Sequence, residues 1–347
     1  MTDRAPSLST AGPAAQGRIL ELDALRGLSA LAVALFHYTY LVRFMIPDAR
    51  MPVMTLWWGC YGVQVFFAIS GFVILGTLDR TLDRRRGLGQ FVRARARRLL
   101  PEYWLAMAIT ATGAALLGPT RLQVDPVTWV LNLVPLQLWT GTRMLDGVYW
   151  TLNCEIVFYA GMALLWRVGA TRRIETVVLG WLAVKWLFWA WPVPPRLQLL
   201  FLTEQAAYFA VGLVAYRVWT GQRRWTAQLP VLGAVAATVL LLDPIEVHWL
   251  FLGVAPLFMA LATGRMRWLA HPALLWMGRV SYPFYLLHAV IGYSVIWRLE
   301  TLGAGPALAT ACALAVTGSL AAAVALLCER WRATSATTSA TPHPALA

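Results

Sequence analysis

With 347 residues, 59% of them hydrophobic and 13% charged, and a mean hydropathy of +0.61, the chain is too apolar for a water-soluble domain built round one core. Its formal net charge of +13 suggests a nucleic-acid partner. The arginines, however, gather in short connections between apolar stretches, which is a topology signal and argues against nucleic acid.

In chain order, residues 1–17 are rich in Ser, Ala, Pro and Gly and read as a disordered tail, 18–330 as one membrane domain, and 331–347 as a second disordered tail. Stretches long and apolar enough to span a bilayer are expected at 22–42, 55–77, 99–118, 148–167, 174–191, 198–217, 229–243, 247–264, 274–296 and 305–328. The segment 127–139 is apolar but short and suits an interfacial or re-entrant piece. Threading these with the amino terminus inside puts the arginine-rich connections 79–98, 168–173, 218–228 and 265–273 in the cytoplasm and the arginine-poor ones opposite. The expected fold class is therefore all-α, a polytopic membrane helix bundle of about ten transmembrane helices with both termini cytoplasmic. Asp23 and Arg26 in the first apolar stretch, with no small-residue cleavage site, mark a retained helix rather than a signal peptide.

Ionisable groups inside spanning helices are costly and are functional candidates by default. In the first helix Arg26 and His37 lie eleven residues apart, on one face; that spacing is roughly 16 to 17 Å along the axis. Either Arg26 anchors an anionic donor and His37 accepts a proton, or His37 is a satisfied interface histidine and Arg26 snorkels to the surface. Asp23 either orients Arg26 or forms an interfacial ion pair. In YGVQVFFAISGFVI, residues 61–74, Ser70 and the glycines suit close helix packing better than a nucleophile, as no G-x-S-x-G elbow surrounds Ser70.

In FVRARARRLLPEYWLA, Arg95 and Arg98 lie one turn apart before Pro101, which suits a helix beginning. The pair can grip donor phosphates or anionic lipid head groups. In VYWTLNCEIVFYAG, Glu155 sits about two turns into the membrane with Trp150 and Tyr159 on the same helix. At that depth it needs a cation or a proton, and a level similar to His37 makes it a candidate to orient the imidazole. In GRVSYPFYLLHAVI, Ser281, Tyr285 and His288 either bind a polar acceptor or satisfy one another. Lys185 needs a partner, for which Glu155 is one option. Cys60, Cys154, Cys312 and Cys328 show no CxxC or Cys/His zinc spacing, so no metal site is expected. Cys60 and Cys154 could pair, but free thiols are the simpler reading.

Together LDALRG followed by ALFHY, GVQVFFAISGFVI, RxxRLLPEYW, W-T-L-x-x-E-x-x-F-Y and G-x-x-S-Y-x-x-Y-L-x-H resemble the acyltransferase 3 family of integral membrane proteins over most of residues 18–330. The resemblance implies transfer of an acyl group, usually acetyl from acetyl-CoA, to a hydroxyl of a cell-surface or exported glycan in the bacterial cytoplasmic (inner) membrane. It implies catalytic roles for His37 and Glu155, and donor binding by Arg26, Arg95 and Arg98. Asp23, Ser70, Trp150, Tyr159, Ser281, Tyr285 and His288 become acceptor-binding or supporting residues. The expected partners are an acyl-CoA co-substrate, a carbohydrate or glycolipid acceptor and membrane lipids; no permanently bound cofactor is expected. The last helix ends in CERW without the proline often seen there. A transporter or flippase is the competing reading, weakened by the expected unbroken helices and the lack of an internal repeat.

Overall fold

The computed structural model describes residues 19–46, 49–50, 52–81 and 87–338, all helix, turn or loop, with no strand among them. The tail expected at 1–17 lies outside the described residues. The long elements are α1 (Leu20–Phe36), α2 (Gly62–Thr81), α3 (Gly87–Leu117), then two short helices, α4 (Pro126–Leu131) and α5 (Gln137–Thr140). After these come α6 (Trp150–Arg167), α7 (Ile174–Ala190), α8 (Pro195–Phe201), α9 (Ala206–Trp219), α10 (Leu229–Leu242), α11 (Ile245–Ala262), α12 (Pro272–Thr301) and α13 (Pro306–Thr338).

Among the described residues, eight helical stretches are long and apolar enough to cross a membrane. Two of the expected spans fall outside that set: α3 carries the arginine cluster in its first half, and α7 has 17 residues. The chain is a multi-pass membrane protein whose long apolar helices leave many large side chains, such as Trp189, Trp249 and Leu241, on the outside of the bundle.

Several boundaries differ from those expected. α3 begins at Gly87 rather than at 99, because arginine favours helix and Pro101 is carried inside the helix, at the loss of one intrahelical hydrogen bond. The span expected at 198–217 is broken between α8 and α9, where Leu202 takes a left-handed backbone with φ 48°. The expectation of unbroken helices is therefore corrected. α1 does not stop at Phe36: it widens into a π-helical turn, His37–Leu41, and closes with an α-helical turn, Val42–Met45. α13 continues to Thr338, so part of the segment assigned to the second tail is helical, and residues 339–347 lie outside the described residues.

α12, wholly buried from Phe284 to Ile296, is the axis of the bundle, and α1 crosses it so tightly that only glycine fits. A Cβ on Gly278 would stand 2.1 Å from the carbonyl oxygen of Asp23, and one on Gly212 of α9 would stand 1.9 Å from the carbonyl oxygen of Ala68 of α2. The same contacts fix direction. Gly278 meets Asp23 and Gly292 meets Tyr38, so α1 and α12 run parallel, whereas the Arg279–Glu329 pair and the Tyr38–Thr317 contact run α13 antiparallel to both. The start of α1 and the end of α13 thus lie at one end of the bundle, together with the arginines of α3. We call it the basic end. Replacing Gly278 with Val should sharply reduce the folded fraction, while Gly180→Val, a helical glycine in open space, should not; detergent-solubilised protein followed by size-exclusion chromatography checks this.

Lys185 pairs with Asp243 of the α10–α11 connection at 2.5 Å, not with Glu155, and all four cysteines are free. The 127–139 segment forms α4 and α5, which fold back on the bundle. Tyr103 donates to the Asn132 carbonyl at 2.7 Å, and Asn132 in turn donates to the Arg143 carbonyl at 2.9 Å.

Candidate active site

At the basic end lies a cavity of about 740 Å3, lined among others by Asp23, Arg26, Arg97, Arg98, Arg279 and Arg332. Its wall is ordered by ion pairs reaching across helices: Arg332 of α13 donates to Glu102 of α3 at 2.7 Å, and Arg279 of α12 forms a two-point pair with Glu329 of α13. Deeper in the bundle a narrower space of about 70 Å3 shares Arg26, Arg98, Ser281 and Tyr282 with that cavity. It is lined further by Phe66, Ser70, Thr151, Glu155, Tyr159 and Tyr285.

Glu155 is therefore a cavity residue. It accepts from Ser70 Oγ at 3.2 Å and from the Tyr159 hydroxyl, and it does not hydrogen-bond His37. The expected direct His37–Glu155 pairing is corrected: shared depth on two helices does not put two side chains on facing sides. Arg95 is also displaced from its expected place. It is 7% exposed, donates to Thr77 Oγ1 at 2.6 Å, and lays its guanidinium 4.8 Å from the Tyr159 ring centre, behind the cavity wall. Arg97, one residue before Arg98, faces the cavity instead and was not singled out from the sequence. Ser281 spends its hydroxyl on the Gly278 carbonyl at 2.7 Å, and Trp150 packs edge-on against Phe67 without lining either space.

Beyond the narrow space the bundle holds a histidine pair. His37 Nδ1 and His288 Nε2 are 2.6 Å apart, with both rings buried. His288 Nδ1 lies 2.8 Å from the Tyr285 carbonyl oxygen, which can only accept, so that nitrogen carries a proton. For two neutral rings, His288 Nε2 is then the acceptor, His37 donates from Nδ1, and His37 Nε2 keeps its lone pair. The π-helical turn that begins at His37 adds a residue to the turn and re-aims the ring, a distortion frequent at functional sites. Tyr285 links the two regions: it lines the narrow space, accepts from Thr151 Oγ1 at 3.2 Å, and its ring lies 5.4 Å from that of His288.

Two anchors hold the pair in register, and neither was singled out beforehand. Tyr38 donates to the His288 carbonyl at 2.7 Å through space that Gly292 leaves open. Asp146, buried at the start of the 3-10 turn Gly147–Tyr149, accepts from the Val290 amide at 3.0 Å and the Val148 amide at 3.1 Å. The only sequence sign of Asp146 is an acidic residue before Gly at the head of a helix.

Comparison with known proteins gives the arrangement a family. Residues 19–328 match the acyltransferase domain of the acyltransferase 3 family. The chain is 37% identical over 113 residues to the exopolysaccharide production protein ExoZ of Rhizobium meliloti (strain 1021), covering 30% of this chain and 33% of that protein. It is 30% identical over 186 residues to protein 2 in the picA locus of Rhizobium radiobacter, covering 48% of this chain and 92% of that one. No solved structure matches. The chain spans about a third of the length of the exopolysaccharide production protein it matches, but the family match runs over nearly the whole described helix bundle: the chain belongs to the acyltransferase 3 family.

Proposed function

We propose that the chain acylates a hydroxyl of an exported or cell-surface polysaccharide from an acyl-CoA donor, acetyl-CoA first, in the bacterial inner membrane. In this reading ten helices span the bilayer, with α3, α7 and the α8–α9 pair counted as crossings, and the basic end is cytoplasmic. The observation that carries the reading is the guanidinium-lined cavity of about 740 Å3, which narrows past Glu155 towards the buried histidine pair. A donor with phosphates at one end and a thioester on a long flexible arm suits that shape. Arg26, Arg97 and Arg98 hold the phosphates, while the arm enters the narrow space. Glu155, kept in place by Ser70 and Tyr159, balances Arg26 and Arg98 along the passage. The similarity to an exopolysaccharide production protein supports a polysaccharide acceptor.

At the far end the acceptor hydroxyl attacks the thioester carbonyl. His37 Nε2 takes the hydroxyl proton, the carbon–sulfur bond breaks, and the proton passes to the departing thiolate as free CoA thiol. His288 touches no substrate in this scheme and acts as a positioning residue that fixes the His37 tautomer. Gln in its place can still accept from His37 Nδ1, so His288→Gln should keep most turnover, whereas His288→Phe should lower kcat with little change in donor KM. Equal losses in both variants would remove the tautomer role.

Purified protein in nanodiscs, given acetyl-CoA and glycan, should release thiol and acetylated sugar in equal amounts. Movement of glycan without thiol release would point instead to a transporter and sink this reading.

A further inference from the structure

The end of α1 opposite the basic end carries cations where the positive-inside pattern disfavours them. Arg43 is exposed, and its guanidinium lies 4.3 Å from the Tyr40 ring centre and 4.6 Å from that of Phe44. Arg121, from the connection after α3, donates to the Phe44 carbonyl at 3.4 Å, and Arg143, from the connection before α6, donates to the Arg121 carbonyl at 2.9 Å. Three arginines from three segments are thereby linked in sequence, Arg143 to the Arg121 backbone, Arg121 to the Phe44 backbone, and Arg43 to the Tyr40 and Phe44 rings. Among the described residues none of the three has a carboxylate partner, in contrast to Arg279 and Arg332 at the basic end.

The arrangement leaves N–H edges free for an anion and offers two aromatic rings beside them. Trp57 and Trp58, each about half exposed, belong to the segment tied to the same end of the first helix by the Leu56 amide, which donates to Thr39 Oγ1 at 2.9 Å. Flat apolar faces next to forked cations match a sugar ring bearing a carboxylate: the ring stacks and the acid takes paired hydrogen bonds. The place is also apt. Arg43 follows His37 by six residues in one continuous helix, roughly 9 Å along its axis. Arg143 belongs to a loop fastened over the helix end through Asn132, not to a helix flank turned to lipid.

We propose that Arg43, Arg121 and Arg143 form a recognition ledge for carboxylate-bearing sugars, so that the acceptor is an acidic polysaccharide. The proposal rests on the reading of this end as the acceptor side. It is tested with full-length protein in nanodiscs of neutral phosphatidylcholine, using a galacturonate oligomer and the same oligomer with its carboxyls reduced to alcohols. Tryptophan fluorescence should show the acid binding roughly 10- to 100-fold more tightly, the span expected for a charge-assisted hydrogen-bonded contact. The triple variant Arg43→Gln, Arg121→Gln, Arg143→Gln should lose that preference while binding acetyl-CoA at the basic end as before.

Equal binding of the two oligomers by the unaltered protein overturns the ledge, as does an unchanged preference in the triple variant. So does a triple variant whose only loss is affinity for phosphatidylglycerol in mixed nanodiscs, since the arginines would then be lipid ligands. The binding assay needs no acyl transfer. An acid preference without thiol release would therefore leave the ledge standing and reject the proposed reaction, and the converse result would separate them the other way.

Discussion

Replacing His37 with alanine should lower thiol release by roughly 100- to 10,000-fold, the range usual for loss of a positioned general base. The fold should survive, because a smaller side chain leaves Tyr38 free to keep its bonds to the His288 carbonyl and to Thr317. Donor affinity should survive as well, since Arg26 and the cavity wall stand about three turns away along α1. The measurement is single-turnover thiol release on protein shown by size exclusion to be folded. Near-normal turnover would remove His37 from the reaction and leave the histidine pair as a structural contact between α1 and α12.

The second large effect separates neighbouring arginines that look alike in sequence. Arg98→Ala and Arg26→Ala, each removing a guanidinium that lines both spaces, should weaken acetyl-CoA binding roughly 10- to 100-fold, as expected for a charge-assisted hydrogen bond lost to a phosphate. Arg97→Ala should follow them. Arg95→Ala should behave otherwise: it deletes the bond to Thr77 and the contact with Tyr159, so it should lower thermal stability before it changes donor affinity. Isothermal titration beside melting curves for the four variants tells the two kinds of effect apart. A pure affinity loss at Arg95 would mean that its side chain reaches the donor after all.

The helical class, the long apolar stretches and the residues of the first helix were legible because lipid demands continuous apolar runs and leaves charges conspicuous. Arg26 and His37 stood out on that ground, as did the glycines of the 61–74 segment. What the sequence withheld was rotation about helix axes. Residues 155 and 37 were placed at one level, but only packing decides which way each faces, and it turned Glu155 to Ser70 and His37 to His288. The same blindness exchanged Arg95 for Arg97. Lys185 found Asp243 because the end of α10 lies beside α7, a neighbourhood no periodicity encodes. The extra helical turns before Pro101 were hidden by charge, which reads as a connection although arginine is a good helix former. Asp146 and Tyr38 carried too little local pattern to be noticed, yet they hold the register of the pair.

The final turns of α13 do more than close the bundle. Glu329 and Arg332 line the cavity proposed above for the donor, and they are tied to α12 and α3 by the same charges that shape it. These turns therefore frame the entrance. A bulky carboxy-terminal fusion used for purification would act as a lid, slowing exchange of nucleotide without touching a single reacting atom.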